Sequence, residues 1–202
     1  MKRKVLPILT CLLAACLLSA CGDTPTITEL SGSDAIFTID TCEVTGSLSG
    51  CVLSMYVSYT VTNISENPVS EITLLTPHLD ESAMRDLELQ LEGESYPLQL
   101  KEKDVIALPS ELSPDEQLSI SFTYHLDDLP LPEDSRATWR ITLPTLEKSA
   151  VSTGVGTVDI RLEFDTPLQM VSSVPKGLVQ QNDLLVTGEL VATVNVLVVD
   201  LQ

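Results

Sequence analysis

The stretch from Leu118 to Leu126, Leu-Ser-Ile-Ser-Phe-Thr-Tyr-His-Leu, alternates apolar and polar residues without interruption. Successive side chains of a β-strand point to opposite faces, so this period of two predicts a strand with one buried face and one solvated face. Cys51 to Thr62 repeats the pattern, with apolar residues at every odd position. We therefore expect two regular, half-buried strands in this part of the chain.

Shorter apolar or alternating pieces, separated by proline, glycine and acidic turns, fill most of the remaining chain. They predict further strands at 35–44, 69–76, 87–91, 96–100, 105–108, 137–143, 158–164, 168–174, 177–181 and 184–201. Apart from one helical turn expected at 80–84, no segment has the pattern of a helix. Because 194–199 is apolar at both parities except for Asn195, that strand is expected to be central or covered on both faces.

About ten strands separated by turns predict an all-β antiparallel sandwich. We expect it to occupy residues 34–202 as one domain. A division near 130–135 into two smaller sandwiches is the alternative, and its second half would be small for an independent core.

Two short motifs connect the central third of the chain to a known architecture. Residues 59–65 read Tyr-Thr-Val-Thr-Asn-Ile-Ser, and residues 112–116 read Leu-Ser-Pro-Asp-Glu. They resemble the "Y-x-V-x-N-x-S" and "L-x-P-G-E" motifs of bacterial immunoglobulin-like domains, with Asp115 in place of the usual glycine. The resemblance implies an immunoglobulin-like β-sandwich and says nothing about a ligand.

The N-terminal end has the features of a secretory signal. Three basic residues, Lys2 to Lys4, precede an apolar run from Val5 to Ala20. This run is short for a membrane-spanning helix, which needs about 20 apolar residues.

The run ends in Leu18-Ser19-Ala20-Cys21, which resembles the lipobox of bacterial lipoproteins. In that family the signal is removed before the cysteine, whose thiol carries a diacylglycerol. The resemblance implies a signal peptide at 1–20, acylated Cys21, a flexible spacer at 21–33, and a body held by membrane lipid at the extracytoplasmic face of the cell membrane. A second match ends at Cys16, but cleavage there would leave two leucines in the mature tail. An ordinary signal peptide and an uncleaved anchor are further alternatives.

The body is strongly acidic. The whole chain has 11 basic and 29 acidic residues, and removal of residues 1–20 leaves 8 basic residues and a net charge of −21. Binding to nucleic acid depends on neutralising phosphates, so no nucleic-acid partner is expected. Solubility explains the charge most simply, although a basic partner or weak cation binding is compatible with it.

Two cysteines remain in the mature body, Cys42 and Cys51. An even number in an exported protein favours a disulfide, and Gly46 to Gly50 between them suggests a turn that would bring two strands together. The alternative is two free thiols, with Cys51 buried on an apolar strand face. A zinc site is not expected, because no third ligand lies nearby.

The sequence offers few candidates for catalysis. His125 and Asp127 have the same strand parity, while Asp128 has the opposite one, so a solvated strand end is favoured over a metal site. His78 has no partner pattern. Ser173-Val174-Pro175-Lys176 matches the serine-x-x-lysine pattern, but its proline and its strand-like surroundings argue against the helix that this chemistry uses. Trp139 is expected in the core.

Acidic loops raise the possibility of calcium binding, but none has EF-hand spacing and solvated charge is favoured. These residues are Asp80, Glu81, Asp127, Asp128, Glu133 and Asp134. No HExxH, GxSxG or phosphate-binding glycine loop is present. We expect no catalytic residues, no metal and no cofactor.

The sequence therefore favours a non-enzymatic β-sandwich that binds a protein partner at the cell envelope, of unknown identity. A ligand- or cation-binding accessory protein of an envelope enzyme or transporter is the alternative. A spacer without a specific ligand is a third hypothesis.

The lipid anchor has a direct test. Mass spectrometry of the chain extracted from membranes should find an N-terminal Cys21 that carries a diacylglycerol. An N-terminal peptide that retains residues 2–20 would contradict the lipobox assignment.

Overall fold

The computed structural model describes residues 35–75, 84–98, 103–132, 136–147, 150–152, 156–191 and 194–202. Over these ranges the chain forms strands and no α-helix, which confirms the predicted all-β class. The strands are β1 (Phe37–Ser49), β2 (Val52–Asn63), β3 (Val69–Leu75), β4 (Met84–Leu91), β5 (Glu94–Tyr96), β6 (Lys103–Leu112), β7 (Gln117–Leu126), β8 (Ala137–Thr142), β9 (Thr145–Leu146), β10 (Thr157–Glu163), β11 (Met170–Val174), β12 (Leu178–Asn182), β13 (Leu185–Val191) and β14 (Val196–Leu201).

The strands form an immunoglobulin-like sandwich. One layer is an eight-stranded sheet in the order β12-β13-β10-β1-β2-β7-β4-β5, and the other consists of two three-stranded sheets, β11-β14-β8 and β6-β3-β9. The described strands pair antiparallel except β1 and β10, which run parallel, and an isolated bridge between Phe37 and Val151 is also parallel. Strands from both sides of 130–135 share the eight-stranded sheet and one core, so the described part of the body is a single sandwich.

Predicted alternation matches the burial of the two most regular strands. The inward residues of β7 are all buried, from Leu118 to Leu126, and so are those of β2 from Leu53 to Val61. The chain end forms two strands, and the second, β14, is the central strand of its sheet, as its apolar composition predicted. Trp139 is fully buried against Phe164, with ring centroids 5.8 Å apart, which confirms its place in the core.

Two buried tyrosines connect the layers. The Tyr59 hydroxyl on β2 donates to the carbonyl oxygen of Pro144 at 2.7 Å, and the Tyr124 hydroxyl on β7 donates to that of Thr142 at 2.6 Å. Burial raises the pKa of both hydroxyls above its ordinary value, so each stays a protonated donor at neutral pH.

The predicted disulfide between Cys42 and Cys51 is wrong. Both cysteines are free, and it is Cys42 that is buried while Cys51 is exposed. The hairpin turns at Gly50-Cys51, since Ser49 pairs with Val52. Cys42 lies seven residues before Ser49, which is about 23 Å along a strand, whereas the Cα atoms of a disulfide are roughly 4.4–6.8 Å apart.

Gly46 explains why the turn was misplaced. It lies inside β1, opposite Met55, rather than in a turn. A Cβ atom at this position would be 2.7 Å from Cδ2 of Leu162 and 2.9 Å from Sδ of Met55. The glycine therefore makes room for core side chains and does not bend the chain.

The immunoglobulin-like motif has a structural role, centred on Asn63. This side chain is fully buried at the end of β2. Its Nδ2 donates to the carbonyl oxygens of Leu112 and Asn67, both at 2.9 Å, and its Oδ1 accepts from the backbone N and Oγ of Ser65. The side chain thus joins the ends of β2 and β6 and the loop that follows β2.

The second half of the motif forms the turn between β6 and β7. The backbone N of Asp115 donates to Asn63 O at 2.8 Å, and the backbone N of Asn63 donates to Glu116 O at 3.0 Å. Asp115 has a φ of 62°, in the left-handed region that favours glycine. This conformation explains the glycine of the family motif and why aspartate, which tolerates the region, replaces it here.

Replacing Asn63 with alanine removes one buried and three partly buried hydrogen bonds and leaves the carbonyl of Leu112 without its side-chain donor. We expect the free energy of unfolding to fall by about 1–3 kcal/mol, the usual cost of unsatisfied buried polar groups. Urea denaturation monitored by tryptophan fluorescence measures this.

The matched control is Asn67→Ala, because Asn67 is exposed and contributes its backbone oxygen to this network. Equal stability losses in the two variants would contradict a structural role for the Asn63 side chain.

Candidate functional site

A cleft opens where the two layers of the sandwich end. On this side β5 is the outermost strand of the eight-stranded sheet, and β6 is the outermost strand of the opposite layer. The cleft between them has a volume of about 600 Å³ and is lined by Tyr96, Pro97 and residues 103–107. Its volume lies within the range of small-ligand pockets, roughly 300–1,000 Å³.

Alternation along β6 directs a carboxylate into this cleft. Lys103, Val105 and Ala107 are exposed, whereas Ile106 is half-buried and packs against the core. Asp104 has the inward parity of Ile106 and is only 5% exposed. A charged side chain therefore occupies a position that the strand pattern reserves for an apolar one.

The Asp104 carboxylate is incompletely satisfied. Its Oδ2 is buried and has no hydrogen-bond partner among the residues that the structure describes. The neighbouring cation does not neutralise it, because Lys103 Nζ lies 2.6 Å from Oε1 of Glu147. Burying an unpaired carboxylate is costly, so this position suits a ligand that brings a positive charge or a hydrogen-bond donor.

His125 and the acids near it do not form a metal site. His125 Nδ1 lies 3.0 Å from Ser54 Oγ, while the buried Asp127 forms an ion pair with Arg85. No group of three or more histidine, cysteine or acidic side chains within the described ranges could hold a metal ion. His78, Asp80, Glu81, Glu133 and Asp134, for which no metal site was expected, lie outside the described residues.

The Ser54–His125 pair resembles the first two members of a catalytic triad, which needs an acid to orient the base. The buried acid that directly follows β7, Asp127, forms an ion pair with Arg85 instead. Ser54 is exposed on the outer face of the large sheet, away from the cleft. The described geometry supplies a surface hydrogen bond here.

The serine-x-x-lysine match is not a catalytic pair. Ser173 and Val174 end β11, and Pro175 and Lys176 form the bend that follows. Ser173 Oγ donates to the carbonyl oxygen of Pro175 at 3.1 Å. The segment is therefore strand and bend, as its sequence suggested, and lacks the helical turn that would bring serine and lysine together.

Neither thiol of the body lies at the cleft. Cys51 is exposed at the β1–β2 turn, and Cys42 is buried in β1. Burial raises the pKa of the Cys42 thiol to about 12, so it stays protonated and unreactive at neutral pH.

Asp104 was missed by the sequence reading, which predicted a strand at 105–108 and stopped one residue short of it. The sequence shows no clear alternation here, because Val105 and Ala107 are apolar as well, and it is the structure that places Asp104, Ile106 and Leu108 on the inward face. An acidic residue on the apolar face of an edge strand is the pattern that would have identified it.

Comparison with known proteins assigns no family. No family model and no curated protein matches the chain. Among solved structures, an M1 zinc metallopeptidase from Deinococcus radiodurans is 17% identical, with a TM-score of 0.46 over 82% of this chain and 42% of that one. Native leukotriene A4 hydrolase from Saccharomyces cerevisiae is 10% identical, with a TM-score of 0.43 over 93% of this chain and 33% of that one.

The chain thus spans less than half the length of these two enzymes. Likenesses this weak transfer no activity to it. Within the described ranges the structure also contains no helix that is long and apolar enough to cross a membrane. The fold and the cleft are therefore described from the structure itself, as an all-β, immunoglobulin-like sandwich with a cleft at one side.

Proposed function

We propose that this chain is a lipid-anchored, extracytoplasmic binding module without enzymatic activity, which engages a protein partner at the cell envelope. The observation that carries the proposal is the cleft between β5 and β6, with the buried Asp104 carboxylate in its wall. The anchor rests on the resemblance of residues 18–21 to a lipobox. Acylation at Cys21 would hold the cleft near the membrane, since two acyl chains give stable attachment.

The absence of enzymatic activity is supported by the chemistry of the described residues. Activated nucleophiles need a base that is itself oriented by a third group, and the Ser54–His125 contact lacks one there. The cleft is lined by one carboxylate, one lysine, a tyrosine, a proline and three apolar strand residues, and the lysine is paired with Glu147. This set can select a cationic group by binding, but it lacks the paired acid and base of hydrolytic sites.

A protein partner is favoured over a small ligand because the cleft is bordered by an edge strand. An edge strand presents unpaired backbone groups, which another chain can use. The alternative, a small-cation-binding accessory of an envelope enzyme or transporter, is supported by the same carboxylate. It would not require the backbone of β6.

Site-specific photo-crosslinking in cells tests the proposal. Val105 is 56% exposed beside the cleft, and Val179, on the opposite edge strand β12, is 58% exposed. With p-benzoylphenylalanine in place of Val105, we expect one envelope protein to be captured reproducibly.

The matched control is the same replacement at Val179, which should not capture that protein. Equal capture from both positions, or no capture from position 105, would contradict binding at the cleft.

A further inference from the structure

We infer that the ligand of the cleft is an extended segment of the partner protein that carries a lysine or arginine. This segment would add to the free edge of β6 as a further strand and set its basic side chain against Asp104. The inference rests on the proposed function and specifies the chemistry of its partner.

The first step is the free edge. In the described sheet β6 pairs on one side with β3, in regular register from Glu71–Ala107 to Leu75–Lys103, and the register shifts before the last pair, Val69–Leu112. In a strand paired on one side, alternate backbone N–H and C=O groups point away from the sheet and are open to another chain. Pro109 lacks an N–H, so the stretch that can pair without interruption is Lys103 to Leu108.

The second step is the direction of the added side chains. A strand hydrogen-bonded to β6 would lie about 4.8 Å from it, on the side where the layers leave the cleft. Inward side chains of that strand would enter the cleft on the same face as Asp104. A residue directly opposite Asp104 would have its Cβ about 4.5–5.5 Å away, within reach of the carboxylate for a long basic side chain.

The third step is selectivity. An inward-pointing charge on an edge strand guards against unwanted pairing, because an apolar strand would bury it without a partner. An acidic strand would be repelled, and that includes a second copy of this chain, whose body has a net charge of −21. Only a basic strand would form an ion pair with the buried carboxylate. Asp104 therefore disfavours binding of apolar and acidic strands and favours binding of a basic one.

The fourth step is size. A volume of about 600 Å³ accommodates a few side chains rather than a folded domain. Six residues paired with Lys103 to Leu108 would send three side chains inward. Tyr96 and Pro97 would form the facing wall, from the edge of the opposite sheet.

Fluorescence anisotropy with the full chain in detergent micelles tests the inference. The probe is a labelled seven-residue synthetic peptide that alternates threonine and valine around a central arginine. We expect saturable binding of this peptide, and at least tenfold weaker binding when glutamate replaces the arginine. Two further peptides carry N-methyl groups on every second backbone amide, one peptide for each of the two alternating sets. We expect a similar loss of binding for the set whose amides face β6.

Asp104→Asn should weaken binding of the arginine peptide at least tenfold. Glu111→Gln is the matched control, because it removes the same charge from the same strand beyond Pro109 and outside the cleft. It should leave binding unchanged. The N-methylated peptides use the unaltered chain, so the test stands even if the Asp104 variant folds poorly.

Several results would overturn the inference. The inference is wrong if the peptide shows no saturable binding up to about 1 mM. It is also wrong if the two N-methylated peptides bind equally, or if the Asp104→Asn variant binds the arginine peptide as tightly as the unaltered chain does. If arginine amide alone binds as tightly as the peptide, the cleft is a site for a small cation and not for an added strand. If the peptide fails while position 105 still captures a partner, the basic strand is rejected and the proposed function stands. If position 105 captures nothing, the proposed function itself fails.

Discussion

The sandwich depends on the contact between its layers at the crossing from β8 to β9. Tyr59 and Tyr124 reach through the core from the centre of the large sheet, and their hydroxyls donate to backbone oxygens at that crossing. Buried backbone oxygens need such donors. Because the crossing is fixed there, the second layer extends outward as one three-stranded sheet on either side. On one side the edge strands are β5 of the large sheet and β6 of the second layer, and the cleft lies between them.

This side carries a buried side chain that conflicts with the rest of the fold. Elsewhere in the described strands, most buried inward positions are apolar, and the buried amide of Asn63 has its hydrogen-bond partners. Asp104 breaks this rule, at the wall of a cleft and on an unpaired strand edge. Local choices that disagree with the fold are concentrated at functional sites. The strongly acidic body favours a basic group as the partner of this carboxylate.

Features of the fold that depend on residues close together in the chain could be predicted from the sequence. Alternation in β2 and β7 identified the buried face, and the motif around Asn63 and Asp115 identified the architecture. Contacts between distant segments were not predictable in this way. The turn of the first hairpin was misplaced because position 46 must be glycine to leave room for Leu162, which is more than a hundred residues away in the sequence. The misplaced turn also led to the wrong disulfide. Asp104 was missed because its significance requires knowing that β6 is an edge. The lipid anchor lies outside the described residues and stays a prediction.

Residue-resolved hydrogen exchange of the full chain in detergent micelles tests most directly whether the β6 edge is open. Amides without a partner exchange quickly, and those in central strands exchange slowly. We predict that fast amides alternate with slow ones from Lys103 to Ala107, while the interior of β2, paired on both sides, is slow throughout. Uniform protection of β6 at the level of β2 would show that the edge is already covered, and would contradict the assignment of this cleft as a docking site.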